Sequence, residues 1–239
     1  MKTQLLPAIN NTLLEVDNIF ICVEEMPEEG FFQDAGLIFA NTPVQQMERG
    51  TASQILFFEN FYLEFVWVED EFAAEIYAVR TGIDFLGRAH WQQSQVSPFG
   101  VALHQRSQTM QPFEEYDFCQ SQPQASELLL SFSSDNLTNQ SEPLCFMVPD
   151  AIALPTLLRK FPDFQRQFAS HPLGIKRLTG IEINTTSKNP LTQPLGMLVQ
   201  TGEIQIERGN PCIQLTFDNH VQGGILDARE IDIPLILKF

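Results

Sequence analysis

The chain has 239 residues and a mass of 27.1 kDa, with 14 basic against 30 acidic side chains and a formal net charge of −16. That acid excess argues against a phosphate-binding face of clustered Lys and Arg and against docking on anionic membranes, so neither nucleic acid nor a membrane is expected as a partner. Hydrophobic residues at 44% and charged residues at 18%, with 20 Phe, describe a folded chain with a Phe-rich core and not a disordered one.

The opening MKTQLLPAINNTLLEV has no continuous apolar core or small-residue cleavage site, so no signal peptide is expected. No apolar run reaches membrane-spanning length, and the cytoplasm is the default location. Asn18 to Val23 (NIFICV) reads as a short apolar strand. Pro27-Glu28-Glu29 then suits the first turn of a helix carrying Phe31, Phe32 and Ala35, which should stop near Gly36. Gly36 to Ala40 reads as a second strand and Asn41 to Gly50 as a polar loop.

Glu48 to Asp70 is the most informative stretch. Gln54 to Phe58 and Phe61 to Val68 are rich in β-branched and aromatic residues, and Glu59-Asn60 between them suits a tight turn because Asn tolerates the left-handed conformation. Alternation puts Leu63, Phe65 and Trp67 on one face of the second strand and Tyr62, Glu64, Val66 and Val68 on the other. Both faces are apolar, so the strand should be covered on both sides. Glu64 is then a carboxylate among apolar neighbours, which must be protonated, paired, well hydrogen-bonded or metal-bound.

Glu69 to Trp91 follows as an amphipathic helix, with Phe72, Ile76, Val79, Ile83 and Leu86 at helical spacing and Gly82 as a bend. Further strands are expected at Phe99 to His104, Tyr116 to Cys119, Glu127 to Phe132 and Pro143 to Val148. Ala151 to Ser170 holds Pro155 and Pro162 and should form two short helical turns. Leu178 to Asn184, Gly202 to Glu207, Cys212 to Phe217 and Ile233 to Phe239 complete the strands, with a Pro-rich loop after the first of them. Tyr62 to Phe65, Pro143 to Phe146 and Pro234 to Leu237 each close a unit that opened with a short apolar strand, which indicates repetition of one small unit.

Chemistry-bearing motifs are sparse. Cys22, Cys119, Cys145 and Cys212 are scattered, with no metal-type spacing, and read as buried thiols of a reducing compartment. His90 and His171 lie at segment ends, where surface or capping roles are expected. No P-loop, GxGxxG or GxSxG occurs, so no nucleotide cofactor is expected.

The strand NIFICV with its following helix, the Arg49-Gly50-Thr51 turn, FYLEFVWVED, and the later PLCFMV, HPLGIKRLTGIEI and IPLILKF resemble a glyoxalase-like domain of the vicinal oxygen chelate superfamily. The resemblance implies an α+β fold of paired βαβββ modules forming a curved mixed sheet around a cleft. Residues 1–70 would be the first module, 71–150 a linking helix with a degenerate second module, and 151–239 a third, strand-rich C-terminal unit on the same domain. Metal-dependent members carry a His or Gln on the first strand of each module and a Glu on the last, and their metal polarises a substrate oxygen. Glu64 falls on the first module's Glu position, Asn18 on the His position, and Cys145 on the second module's Glu position. His104 is displaced toward the end of its strand. The resemblance thus nominates Glu64 and His104 as catalytic and metal-binding, with Asn18, Tyr62, Trp67 and Cys145 lining a substrate cleft.

Three functions follow from these residues. The first is a metal-dependent lyase, isomerase or dioxygenase acting on a small oxygen-bearing substrate, with a divalent ion at Glu64. The second is a metal-free protein that holds an apolar small molecule. The third is an interaction protein with a filled cleft and a homodimer.

Overall fold

The computed structural model describes residues 14–105, 118–120, 131–161 and 168–239. Its central strand is β1 (Leu14–Cys22), followed by α1 (Glu29–Asp34), β2 (Ala40–Gln46), β3 (Thr51–Phe57) and β4 (Tyr62–Val68). β4 lies parallel to β1 and antiparallel to β3, and β3 is antiparallel to β2. The first unit is therefore a βαβββ module with its last strand returning beside its first. Three short helices follow: α2 (Glu71–Thr81), α3 (Phe85–Ala89) and α4 (Trp91–Ser94).

β5 (Phe99–Gln105) starts the second unit and pairs antiparallel with β1. Next come β6 (Phe118–Gln120), β7 (Ser131–Ser133), α5 (Ser134–Thr138) and β8 (Leu144–Met147), with β8 parallel to β5. Together these strands make one eight-stranded mixed sheet in the order β2-β3-β4-β1-β5-β8-β7-β6. After α6 (Leu154–Lys160) come β9 (Leu178–Thr185), α7 (Gln193–Thr201), β10 (Gln205–Arg208), β11 (Cys212–Phe217), β12 (Ile225–Asp227) and β13 (Leu235–Lys238). These form a five-stranded sheet in the order β10-β9-β11-β13-β12. Its central pair, β9 and β11, is antiparallel, and each has a parallel outer partner, β10 and β13. The same pattern organises the larger sheet, where β1 and β5 are the antiparallel pair and β4 and β8 their parallel partners.

Alternation along the strands decides the layers. Ile19, Ile21, Leu63, Phe65, Val101 and Cys145 point from one face of the large sheet into a core shared with Ile181, Ile183, Ile213, Leu215 and Leu237 of the small sheet. The other face carries Phe20, Cys22, Val66, Leu144 and Phe146, and meets Tyr77, Ile83 and Phe85 from α2 and the segment after it. Each such side chain contributes about 1.5–3 kcal/mol when fully buried. The fold is α+β, and among the described residues neither sheet closes into a barrel. No helix there is long and apolar enough to cross a membrane.

Several elements differ from the sequence expectations for identifiable reasons. The strand expected at residues 36–40 lies instead at β2, in the stretch read as a polar loop. β2 is an edge strand with a register shift between Ala40 and Val44, where polar residues and Pro43 are tolerated. The helix expected over 69–91 divides, because Gly82 caps α2 in the left-handed conformation and Asp84 starts α3 by accepting from the Gly87 N–H at 2.7 Å. Its apolar stripe faces outward: Phe72, Ile76 and Val79 are exposed, while Ala74 and Tyr77 are buried. Asn60 does not take a left-handed conformation. Its amide instead donates to the Leu178 carbonyl at 3.0 Å and accepts from the Leu178 N–H at 2.9 Å, tying the β3–β4 hairpin to the start of β9. The Pro-rich loop after β9 contains α7, with Pro194 in its first turn. Of the strands expected at 116–119 and 127–132, the described residues fall in β6 and β7 and the others lie outside the described ones, as do residues 162–167 of the second helical turn expected over 151–170.

Candidate functional site

On the α2 side of the large sheet, β1, β3, β4, β7 and β8 floor a cavity of about 440 Å³. Its size suits a small organic molecule. One wall is a continuous run of aromatic rings. Tyr77 and Phe85 have centroids 5.9 Å apart, Phe85 and Phe20 6.0 Å, Phe20 and Phe146 6.1 Å, and Phe146 and Phe132 5.6 Å. Gly100 on β5 makes this wall possible. A Cβ there would stand 2.0 Å from Phe20 Cε1, so only Gly lets that ring lie across the strand.

The polar groups of the floor sit on adjoining strands. In the parallel pairing of β1 with β4, Asn18 lies opposite Tyr62 and Phe20 opposite Glu64. Glu64 is half-buried and lines the cavity. Burial pushes its carboxyl pKa up, against the lowering effect of a hydrogen bond from Ser53 and the charge of Arg49. Tyr62 keeps its phenolic proton well above the usual range, through burial and then the charges of Glu64 and Asp17. Asn18 is 2% exposed, lines the same cavity, and its Oδ1 has no hydrogen-bond partner. A buried amide oxygen without a donor costs roughly 1–3 kcal/mol. The rim is formed by the exposed residues Gln45 to Glu48 and by Arg49, whose guanidinium stands 5.9 Å from the Tyr77 ring centroid. The turn behind Arg49 is held down by the Gly50 carbonyl, which accepts from the N–H groups of Glu69 and Asp70 at 2.9 and 3.1 Å.

The residues nominated from sequence therefore separate into three places. Asn18, Tyr62 and Glu64 meet in the cavity. Trp67 and Cys145 point from the opposite face into the core shared by the sheets. The Cys145 thiol is pushed up to about 12 by burial, which leaves it an inert apolar side chain. His104 lies beyond the cavity, because β1 shifts register between Val16 and Asn18 and draws Asp17 beside it. The His104 Nδ1 is 3.2 Å from Asp17 Oδ1 and its Nε2 is 3.3 Å from Glu15 Oε2. Burial alone would lower the His104 pKa, but Asp17 and Glu15 outweigh it and raise it. Asp17 Oδ1 also accepts from the Leu154 N–H at 2.8 Å, so this cluster fastens α6 to β1.

A bound divalent ion needs several His, Cys or carboxylate donors converging on one point. Among the described residues no group of three or more such side chains is placed to hold one. Glu64 shares the cavity with the amide of Asn18, the hydroxyls of Thr51, Ser53 and Tyr62, and the rim residues Glu48 and Arg49, and the positions across the floor, Ala102 and Phe146, carry no donor. Among the described residues, this donor set does not fit the His, Gln and Glu ligands that the family resemblance implies.

Other polar positions gave no sequence signal. His171, expected in a surface or capping role, is buried, accepts from the Ile38 N–H on Nδ1 at 3.2 Å, and donates from Nε2 to the Phe57 carbonyl at 2.8 Å. Arg88 is buried under α3 and donates to the Ser97 carbonyl at 2.6 Å, which fixes α3 against the start of β5. Asn136 is buried, donating to the Pro143 carbonyl at 3.0 Å and accepting from the Cys145 N–H at 2.6 Å. In each case the partner is a main-chain group distant enough in sequence to leave no local motif.

No family model matches the chain, and no curated protein matches it. Among solved structures, a hypothetical protein from Staphylococcus aureus is similar, with 12% identity and a TM-score of 0.55, covering 95% of this chain and 99% of that one. At that identity the likeness shows a shared fold alone.

Proposed function

We propose that this chain is a small-molecule-binding protein of glyoxalase-like architecture, whose cleft takes up an apolar ligand without help from a metal. One observation carries the reading: the cavity of about 440 Å³ joins an aromatic wall to a floor on which the buried Asn18 Oδ1 lacks a donor. The βαβββ unit of β1 to β4, with β1 antiparallel to β5 and β8 parallel to β5, supports the architectural half of the proposal. The metal-free half rests on Asn18, which stands on the cavity floor at the position that the resemblance gives to a His ligand.

The test is a titration of 2-phenylethanol into isotopically labelled protein, followed by amide NMR shifts. Saturable shifts should map to β1, β4 and β8 and be absent from a folded Leu144→Trp variant, in which an indole fills the cavity. Unsaturable shifts scattered over the surface would overturn the reading, whether or not the variant folds.

One observation favours a catalytic alternative, a metal-dependent lyase, isomerase or dioxygenase: Glu64 lines the cavity, as the resemblance requires of its ligand position. Stoichiometric divalent metal in untagged protein, lost in Glu64→Gln, would establish it in place of the first reading.

A further inference from the structure

The polar inventory inside the cavity is asymmetric, and the asymmetry selects a charge type. Two of its lining groups accept hydrogen bonds: the Asn18 Oδ1, which has no partner, and the Glu64 carboxyl, which already takes a bond from Ser53 beside the hydroxyls of Thr51 and Tyr62. Asn18 and Glu64 are diagonal neighbours on the parallel pair β1 and β4. Diagonal side chains of neighbouring strands start about 7–8 Å apart, so one group with several N–H donors can bridge the two. Arg49, the cation among the lining residues, stands at the rim with the exposed residues 45–48 and faces the Tyr77 ring. The wall beside these acceptors consists of ring faces and edges from Phe20, Phe85, Phe146 and Tyr77.

Aromatic faces attract organic cations, and a carboxylate beside them supplies the counter-charge. An anionic ligand would meet Glu64 in a low-dielectric site and be repelled. A neutral alcohol has one O–H to give, to Asn18 or to Glu64, and no charge to offset the carboxylate. The net charge of −16 further favours the approach of cations. We infer that the ligand of this cavity is an arylalkyl amine, bound as the ammonium ion, with its nitrogen between Asn18 Oδ1 and Glu64 and its ring on the Phe20–Phe85–Phe146 wall. This inference rests on the small-molecule-binding reading and adds the chemical class.

The test compares three probes of one shape at pH 7 by calorimetry and NMR: 2-phenylethylamine, 2-phenylethanol and 3-phenylpropionate. The amine should bind at least tenfold more tightly than the alcohol, and the carboxylate should not bind. In Glu64→Gln the preference for amine over alcohol should shrink to threefold or less. Equal affinity of amine and alcohol in the wild type would overturn the amine assignment while leaving the binding reading intact, and that comparison needs no variant. A preference undiminished in Glu64→Gln would also overturn it. Failure of all three probes to saturate would remove the binding reading as well.

Discussion

Replacing Gly100 by Ala tests the aromatic wall on which the cavity depends. The new methyl would lie 2.0 Å from Phe20 Cε1, 2.2 Å from Cζ and 2.5 Å from Cδ1. Ordinary carbon contacts begin near 3.5 Å, so the ring edge must retreat by about 1.5 Å. Phe20 has Phe85 and Phe146 at 6.0 and 6.1 Å on its flanks, and the open direction is the cavity itself. Overpacking of this kind costs about 1–3 kcal/mol. For a chain of this size each kcal/mol lowers Tm by about 2–4 °C, so the melt should fall by roughly 2–12 °C. The displaced ring also occupies ligand space, and affinity for 2-phenylethanol should fall in the same variant. Gly196→Ala is the matched control. A Cβ there meets nothing within 4 Å, the residue lies within α7, and the change should stabilise by about 0.5–1 kcal/mol. Thermal melts of the two variants beside wild type decide the matter. If Gly100→Ala melts and binds as wild type does, the account of this wall is wrong.

Other substitutions probe the polar contacts. Asn60→Ala removes both bonds to Leu178 and should cost about 1–3 kcal/mol in urea unfolding, while Asn60→Asp, which retains only an acceptor, should recover part of it. Because burial raises the Glu64 pKa, the folded state holds that proton more tightly than the unfolded state, and the stabilisation is lost as pH rises through the folded value. Glu64→Gln should therefore match wild type near pH 4 and exceed it in stability at pH 8. His104 is raised as well, so its contribution is full below the ordinary His value of about 6.5 and fades as pH rises past the folded value. The stability difference between wild type and His104→Gln should shrink from pH 6 to pH 9. For His171 the direction reverses: burial lowers its pKa, partly countered by the Phe57 carbonyl, so protein with this His loses stability as pH falls through and below 6.5.

Period-two alternation was enough to place Tyr62 and Glu64 on one face of β4 and Trp67 on the other, and to place β11 at Cys212–Phe217. It failed across β1, where the shift between Val16 and Asn18 moves Asp17 beside His104, and a bulge leaves no mark in composition. Helical period located α2 without showing which stripe is buried. The outward side carries Phe72 and Val79 at 72% and 90% exposure, and the inward side is Ala74 and Tyr77, which pack close to the sheet. The aromatic wall was also hidden, since Phe20, Phe85, Phe132 and Phe146 lie on elements separated in sequence and meet only in the folded chain. Glu64 stood out because a carboxylate between Tyr and Val is costly wherever the strand goes.

The central claim is that the cleft binds its ligand without a metal, and one measurement addresses it most directly. Untagged protein would be analysed for metal by mass spectrometry, stripped with a chelator, and titrated with 2-phenylethylamine before and after adding back zinc, manganese or iron(II). The account predicts one saturable site of equal affinity in every preparation. Binding that vanishes on stripping and returns with one of these ions would contradict it, and would make Glu64 a metal ligand.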